Sequence, residues 1–219
     1  MTDSVPTTVG LIADVHANLP ALDGVLNDMP DLDALVHAGD IIGYGPWPNA
    51  CVERLRKHDA VSVRGNHDQT VIEGRAYESS DRYAQDNLTD ENLSWIEACP
   101  DKRALFEDRV VVVHGHPDDR FRYTEASNFS ADLLGEEDVL VLGHTHQQAK
   151  AEYDNGIVVN PGSIGQPRDG DERAAYAVLD LTARTVELRR VPYDIDRLVE
   201  KIEESSISAY HTERYRHAE

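Results

Sequence analysis

The sequence predicts an α/β fold with mixed sheets, and three observations carry that prediction. Five short apolar runs, at residues 9–13, 34–38, 60–63, 110–113 and 139–142, each stop abruptly at a loop. Segments with helical spacing stand between the early runs. The last third changes character and reads as two hairpins followed by a helix. A length of 219 residues suits one domain, or one with a small appendage. The expectation is a single domain over 1–219, with a core at about 8–194 and a C-terminal helix and polar tail at 195–219.

The first strand, at 9–13, runs into Asp14. Asn18 is placed to cap the helix that follows, with Pro20 in its first turn and Leu19, Leu22, Leu26 and Met29 on one face. Pro30 stops it. A strand at 34–38 leads into Gly39-Asp40, and a helix over 48–58 carries Val52 and Leu55 on its apolar face. The strand at 60–63 runs into Gly65-Asn66-His67-Asp68. Residues 69–100 are polar and read as helical, with Leu93 and Ile96 facing inward. The run 110–113 ends at His114, residues 127–134 read as a helix, and 139–142 ends at Gly143-His144. Asp154-Asn155-Gly156 is a hairpin turn between strands at 149–153 and 157–159. Strands at 175–181 and 185–191 form a second hairpin. The closing helix, 195–204, turns Leu198, Val199 and Ile202 inward, and the tail beyond Ser205 is expected to fray.

Composition narrows the function classes. There are 41 acidic residues against 21 basic ones, a net charge of −20, and only four lysines: Lys57, Lys102, Lys150 and Lys201. Such a surface disfavours generic binding to a nucleic-acid backbone, so no duplex partner is expected. Self-repulsion on this scale needs screening. The acidic, lysine-poor surface reads as halophilic, an adaptation to high internal salt; an ordinary acidic cytosolic protein is the alternative. No apolar run approaches the roughly 20 residues of a membrane span. The opening MTDSVPTT lacks the basic and apolar features of a secretory signal, so the expected location is cytoplasmic. Cys51 and Cys99 are isolated and read as free, partly buried thiols.

The five strand ends carry the chemistry. They read Asp14-Val15-His16, Gly39-Asp40, Gly65-Asn66-His67-Asp68, His114-Gly115-His116 and Gly143-His144-Thr145-His146. Singly, each is weak: an Asp-x-His pair or a Gly-Asp turn is common in ordinary loops. Together they hold six of the ten histidines in four loops, and a parallel sheet gathers such loops along one edge. Nitrogen and oxygen ligands without thiolate suit Mn²⁺, Fe, Zn²⁺, Co²⁺ or Ni²⁺ rather than Ca²⁺ or a structural zinc. The candidates are too many for one ion. Two divalent ions bridged by one carboxylate use them all. His37, His58, His211 and His217, away from these ends, read as ordinary histidines.

In this order the motifs D-x-H, G-D, G-N-H-D/E, H-G-x and G-H-x-H resemble those of the calcineurin-like metallophosphoesterase superfamily. More narrowly the chain is similar to its small prokaryotic phosphoesterases, the diadenosine-tetraphosphatase-like or PP2A-like branch. Gly43-Tyr44-Gly45-Pro46, the stretch from Asn160 to Arg168, and Arg190-Val191-Pro192-Tyr193 strengthen the match, which spans residues 8–194. The resemblance implies a four-layer α/β/β/α sandwich with two mixed β-sheets. It implies that Asp14, His16 and His146 hold one metal, that Asn66, His114 and His144 hold a second, and that Asp40 bridges them. Mn²⁺ is the expected ion. The implied reaction is hydrolysis of a small phosphoester by a hydroxide bridging the ions. His67 would donate a proton to the leaving oxygen or stabilise phosphoryl charge, oriented by Asp68.

The departures bear on substrate. Ala17 replaces a usual glycine, which touches only loop geometry. His116 stands where many relatives have serine, and reads either as an extra donor beside the ligands or as a loop histidine. Protein phosphatases and symmetrical diadenosine tetraphosphatases read G-D-x-V-x-R-G, whose arginine grips phosphate; here Tyr44 occupies that place. Tyrosine cannot supply a bidentate charged clamp, so a protein-phosphatase role is disfavoured. Arg64 and Arg168 are the candidate replacements. Asn66, His67, Tyr44, Arg64 and Asn160 are the expected substrate contacts. The leading expectation is a phosphodiesterase or phosphatase. Hydrolysis of a dinucleoside polyphosphate or nucleotide is the alternative. A non-catalytic scaffold, as in the retromer subunit of this fold, is disfavoured because that scaffold has lost ligands this chain keeps.

Overall fold

Ten strands form two five-stranded sheets in the computed structural model, which describes residues 5–218. The opening residues of the MTDSVPTT stretch, and Glu219 at the end of the tail, lie outside the described residues. The first sheet holds β1 (Thr8–Ile12), β2 (Ala34–His37) and β3 (Val61–Ser62) in parallel. The hairpin of β9 (Ala174–Asp180) and β10 (Thr185–Val191) adds to it antiparallel through β9 and β1. The second sheet holds β5 (Val110–Val113), β6 (Val139–Val141) and β8 (Gly156–Asn160) in parallel. Its edges are β4 (Lys102–Leu105), antiparallel to β5, and β7 (Ala149–Tyr153), antiparallel to β8.

Strand alternation explains how the sheets meet. Val9, Leu11 and Val36 from the first sheet and Val110, Val112, Val139, Val141, Ile157 and Val159 from the second point into one shared core. The opposite residues, such as Ile12 and Leu35, face a helical layer. That layer includes α1 (Leu19–Asp28) and α2 (Pro48–Lys57). Asn18 caps α1, accepting from the Ala21 N–H at 3.2 Å as its sequence position predicts. Residues 69–100 are helical as expected: α3 (Asn66–Ile72), α4 (Ser79–Asn87) and α5 (Asp90–Glu97). Ile96 is buried, but Asn92 rather than Leu93 takes the second inward position.

Two expectations fail, and one strand was missed. The predicted helix at 127–134 is two 3₁₀ turns, Ala126–Asn128 and Ala131–Leu133, separated by extended residues. Phe129, Leu133 and Leu134 cover the outer face of the second sheet, and pinning them there overrides helical spacing. Strand β4 was not expected at all. The tail beyond Ser205 does not fray: after α6 (Ile195–Glu203) it continues as a 3₁₀ turn and α7 (Thr212–His217). Tyr215, only 1% exposed, packs with Tyr44, Leu198, Ile202 and Ile207. Cys51 and Cys99 are free and buried. Among the described residues, no helix is long and apolar enough to cross a membrane.

Candidate metal centre

The five loops come from two sheets rather than one. Three follow β1, β2 and β3; two follow β5 and β6. Both parallel triplets end at the same side of the shared core, so the loops meet across it. Backbone bonds zip the first two together: Asp14 N–H donates to Gly39 O at 3.0 Å and His16 N–H to Asp40 O at 3.1 Å. Across the sheets, His144 N–H donates to Asp14 Oδ2 at 3.0 Å. The His114 Nδ1–H donates to Ala38 O at 2.8 Å.

The chain bends sharply to deliver these side chains. Asp14, His16, Asp40, His144 and His146 all have positive φ, between 48° and 70°. Non-glycine residues adopt this conformation rarely and at a cost, and it gathers at functional sites. Gly65 shows how tight the junction is: a Cβ there would lie 2.0 Å from Asp40 Oδ1.

The result is two buried clusters of donor atoms. Asp14, His16 and His146 form one, and Asp40, His114 and His144 the other. In the first, His16 Nε2 and His146 Nε2 are 2.9 Å apart, with Asp14 Oδ1 3.9 Å and 3.6 Å from them. In the second, the Asn66 amide lies 3.0 Å from His114 Nε2, 2.9 Å from His144 Nδ1 and 3.2 Å from Asp40 Oδ2. Asp40 Oδ2 stands between the clusters, 3.3 Å from His114 Nε2 and 3.8 Å from His16 Nε2. Its other oxygen is fixed by the His67 N–H at 2.8 Å.

Backbone carbonyls fix the histidine tautomers. His16 Nδ1–H donates to Ile42 O at 3.0 Å and His146 Nδ1–H to Gln166 O at 2.6 Å. His144 Nε2–H donates to Phe121 O at 3.1 Å. Each ring therefore turns its lone pair inward, as ligand histidines do. Lone pairs 2.9 Å apart repel unless a cation stands between them. Ligands about 2.1 Å from one octahedral ion have closest separations of about 3 Å. The donor set therefore fits divalent ions.

The electrostatics favour a neutral imidazole at three of the four histidines. Burial holds His16 and His146 well below the usual imidazole range, so both are neutral. Burial, then the nearby His114, lowers His144 to about 4. Burial raises the Asp14 carboxyl to about 7, although His114 opposes it. For Asp40 the surrounding histidines outweigh burial and hold it well below the carboxylate range. Burial opposes protonation of His114, yet Asp40 raises it to about 9. His16, His144 and His146 are thus neutral, as divalent ions require, and a cation in the second cluster would displace the proton that Asp40 holds on His114.

The surrounding residues divide. His67 is at the rim, its side chain 12% exposed. Its Nδ1–H donates to Asp81 Oδ1 at 2.9 Å, and its Nε2 lies 3.1 Å from the Tyr44 hydroxyl. Burial alone would lower it, but the Asp40 charge and the Asp81 bond raise it to about 9.

Asp68 does not orient His67, contrary to expectation. Its carboxylate accepts the N–H groups of Asp40, Ile41, Ile42 and Gly65 at 3.0–3.2 Å. It clamps two ligand loops together instead.

Arg64 is not in the cluster either: its guanidinium donates to Asp101 at 2.8 Å and to Glu97 O at 3.4 Å. Asn160 is 1% exposed, with its amide committed to Gly143 O, the Thr145 hydroxyl and Gly162 N–H. Buried, it braces the Gly143–His146 loop rather than lining the open site. His116 Nδ1 accepts the Asp118 N–H at 3.2 Å, as a loop histidine.

Arg168 does reach the site. It lies 5.6 Å from the Tyr44 ring centroid and donates to Gln166 Oε1 at 2.7 Å. Asp81 and Tyr123 were missed. Asp81 is one of several acids in a polar stretch. Tyr123, stacked on His144 with ring centroids 3.9 Å apart and planes 14° apart, sits in a loop without periodicity.

With fold and site in view, the chain belongs to the calcineurin-like phosphoesterase superfamily, whose domain matches residues 8–184. It is 30% identical to the uncharacterised protein MJ0912 of Methanocaldococcus jannaschii, covering 96% of this chain and 98% of that one. It is also 30% identical to phosphodiesterase YfcE of Escherichia coli, over 77% of this chain and 84% of that one. A metallophosphoesterase from Sphaerobacter thermophilus superposes with a TM-score of 0.86 at 30% identity, covering 97% and 99% of the two chains. At family level this makes the protein a phosphoester hydrolase with two candidate sites for divalent metal.

Proposed function

We propose that the protein hydrolyses a small phosphoester, preferentially a diester, with two metal ions. One observation carries this reading: Asp40 Oδ2 lies between two buried donor clusters whose histidines all turn a ring nitrogen inward. Asp14, His16 and His146 would hold one ion, Asn66, His114 and His144 the other, with Asp40 shared. Ions held there supply Lewis acidity, which makes water nucleophilic near neutral pH and offsets phosphoryl charge. Mn²⁺ suits the mixed nitrogen and oxygen donors.

The chain's own residues do the rest. His67 is the proton donor to the leaving oxygen. Asp81 holds its Nδ1–H and so keeps Nε2 directed at the rim. Arg168, beside Tyr44, supplies the positive charge that the tyrosine cannot. The name of YfcE as a phosphodiesterase supports the diester preference.

The test is Mn²⁺-dependent hydrolysis of bis-p-nitrophenyl phosphate by the native protein and by Asp40→Asn. The variant should keep its thermal transition and lose turnover by at least about 100-fold. Full activity in that variant refutes the shared-carboxylate reading.

A further inference from the structure

Among the described residues, four large hydrophobic side chains are exposed, and two of them, Phe121 and Tyr123, lie within three residues of each other at the metal centre. Each is 51% exposed, and neither joins any of the apolar clusters that build the fold. Packing therefore does not explain them. Tyr123 lies flat on the imidazole of His144 and leaves much of its ring open.

The segment carrying them is tied down. His144 Nε2–H donates to Phe121 O at 3.1 Å. Gly115 lies so close beneath that a Cβ there would meet Arg120 O at 2.4 Å and Arg122 O at 2.7 Å. The Arg120 guanidinium donates to Gln69 Oε1 at 3.1 Å, pairs with Asp101, and sits 4.8 Å from the Phe121 ring centroid. A cavity of about 350 Å³ opens beside it, lined among others by His116, Pro117, Arg120 and Phe121.

A fixed, solvent-facing aromatic ring against a ligand histidine is a stacking surface. The overall charge of −20 repels anionic substrates. Contacts that neither charge nor salt weakens would add affinity beyond that of the metals and Arg168. Stacking of a base on an aromatic ring is such a contact, and it accepts any base.

Resting on the two-metal reading above, we propose that Tyr123, with Phe121 beside it, is a shelf for the base of a nucleoside phosphoester. The shelf makes the substrate class nucleotide-like diesters or phosphoanhydrides rather than alkyl esters. Tyr123 is then a specificity residue, acting on binding of the base and not on the phosphorus.

The experiment compares AMP with ribose 5-phosphate, which differ only in the base. Binding of each to the Mn²⁺-loaded full-length chain is measured by calorimetry, in the native protein, Tyr123→Phe and Tyr123→Leu. AMP should bind at least about fivefold more tightly to the native protein and to Tyr123→Phe, the lower end of base–aromatic stacking. That preference should vanish in Tyr123→Leu, with ribose 5-phosphate bound as before. No preference in the native protein, or a preference that survives Tyr123→Leu, overturns the shelf. Turnover separates the two readings. A protein that prefers AMP through Tyr123 but hydrolyses no ester supports the shelf and defeats the hydrolase. One that hydrolyses diesters without regard to a base defeats the shelf and keeps the hydrolase.

Discussion

The two aspartates near His67 have opposite jobs, and this is where sequence and structure part most sharply. Asp68 follows His67 directly and reads as its orienter. The structure gives that place to Asp81, fourteen residues on, and makes Asp68 the acceptor of four backbone N–H groups. Asp81→Asn should therefore slow turnover by roughly 10–100-fold, the usual cost of losing a supporting partner. Its metal content and thermal transition should stay unchanged. Asp68→Ala strands four buried donors, at a cost of about 3 kcal/mol or more. That corresponds to a fall of about 10 °C in Tm for a chain of this size. Steady-state kinetics and a melting curve on both variants check this; the reverse pattern would restore the sequence reading. The clustered donor residues themselves were legible because aspartate, asparagine and histidine at strand ends are rare enough to stand out together. Asp81 was not, because acids are common throughout this chain and nothing local distinguishes it. Asn160 misled for a related reason: its position near the motifs was readable, but the commitment of its amide to the Gly143–His146 loop was not.

Elements were legible where burial imposes a period. The five strands that feed the site, and the helices α1, α2 and α6, follow their apolar patterns to within a residue or two. Strand β4 escaped because an edge strand reading Lys-Arg-Ala-Leu is polar and lies on the rim of its sheet. The C-terminal segment escaped because its packing rests on sparse residues, chiefly Ile207 and Tyr215. Their partners there include Tyr44, which faces His67 and sits beside Arg168. The tail thus supports one wall of the site from behind. Tyr215→Ala should cost about 3–5 kcal/mol, as for other large buried aromatics. Tyr44 should loosen with it, so that KM for bis-p-nitrophenyl phosphate rises at temperatures where the variant is still folded. A melting curve with no loss of stability would return the tail to the status of a frayed end.

At the scale of the whole molecule, an excess of 20 negative charges surrounds a centre proposed to attract both cations and phosphoesters. Screening should relieve the repulsion. Thermal transitions in increasing KCl should therefore move upward toward molar salt; a flat or falling series would mark the surface as merely acidic. The architecture itself needs both sheets. Asp14, His16 and Asp40 come from the first and His114, His144 and His146 from the second, so neither sheet alone holds a complete cluster. On the two-metal proposal, this junction holds two ions. The most direct test is metal content per chain after Mn²⁺ loading and dialysis, for the native protein and for His146→Ala. Two ions are expected in the native protein and one in the variant, which keeps the Asn66–His114–His144 cluster. One ion or none in the native protein, or two retained after His146→Ala, would contradict it.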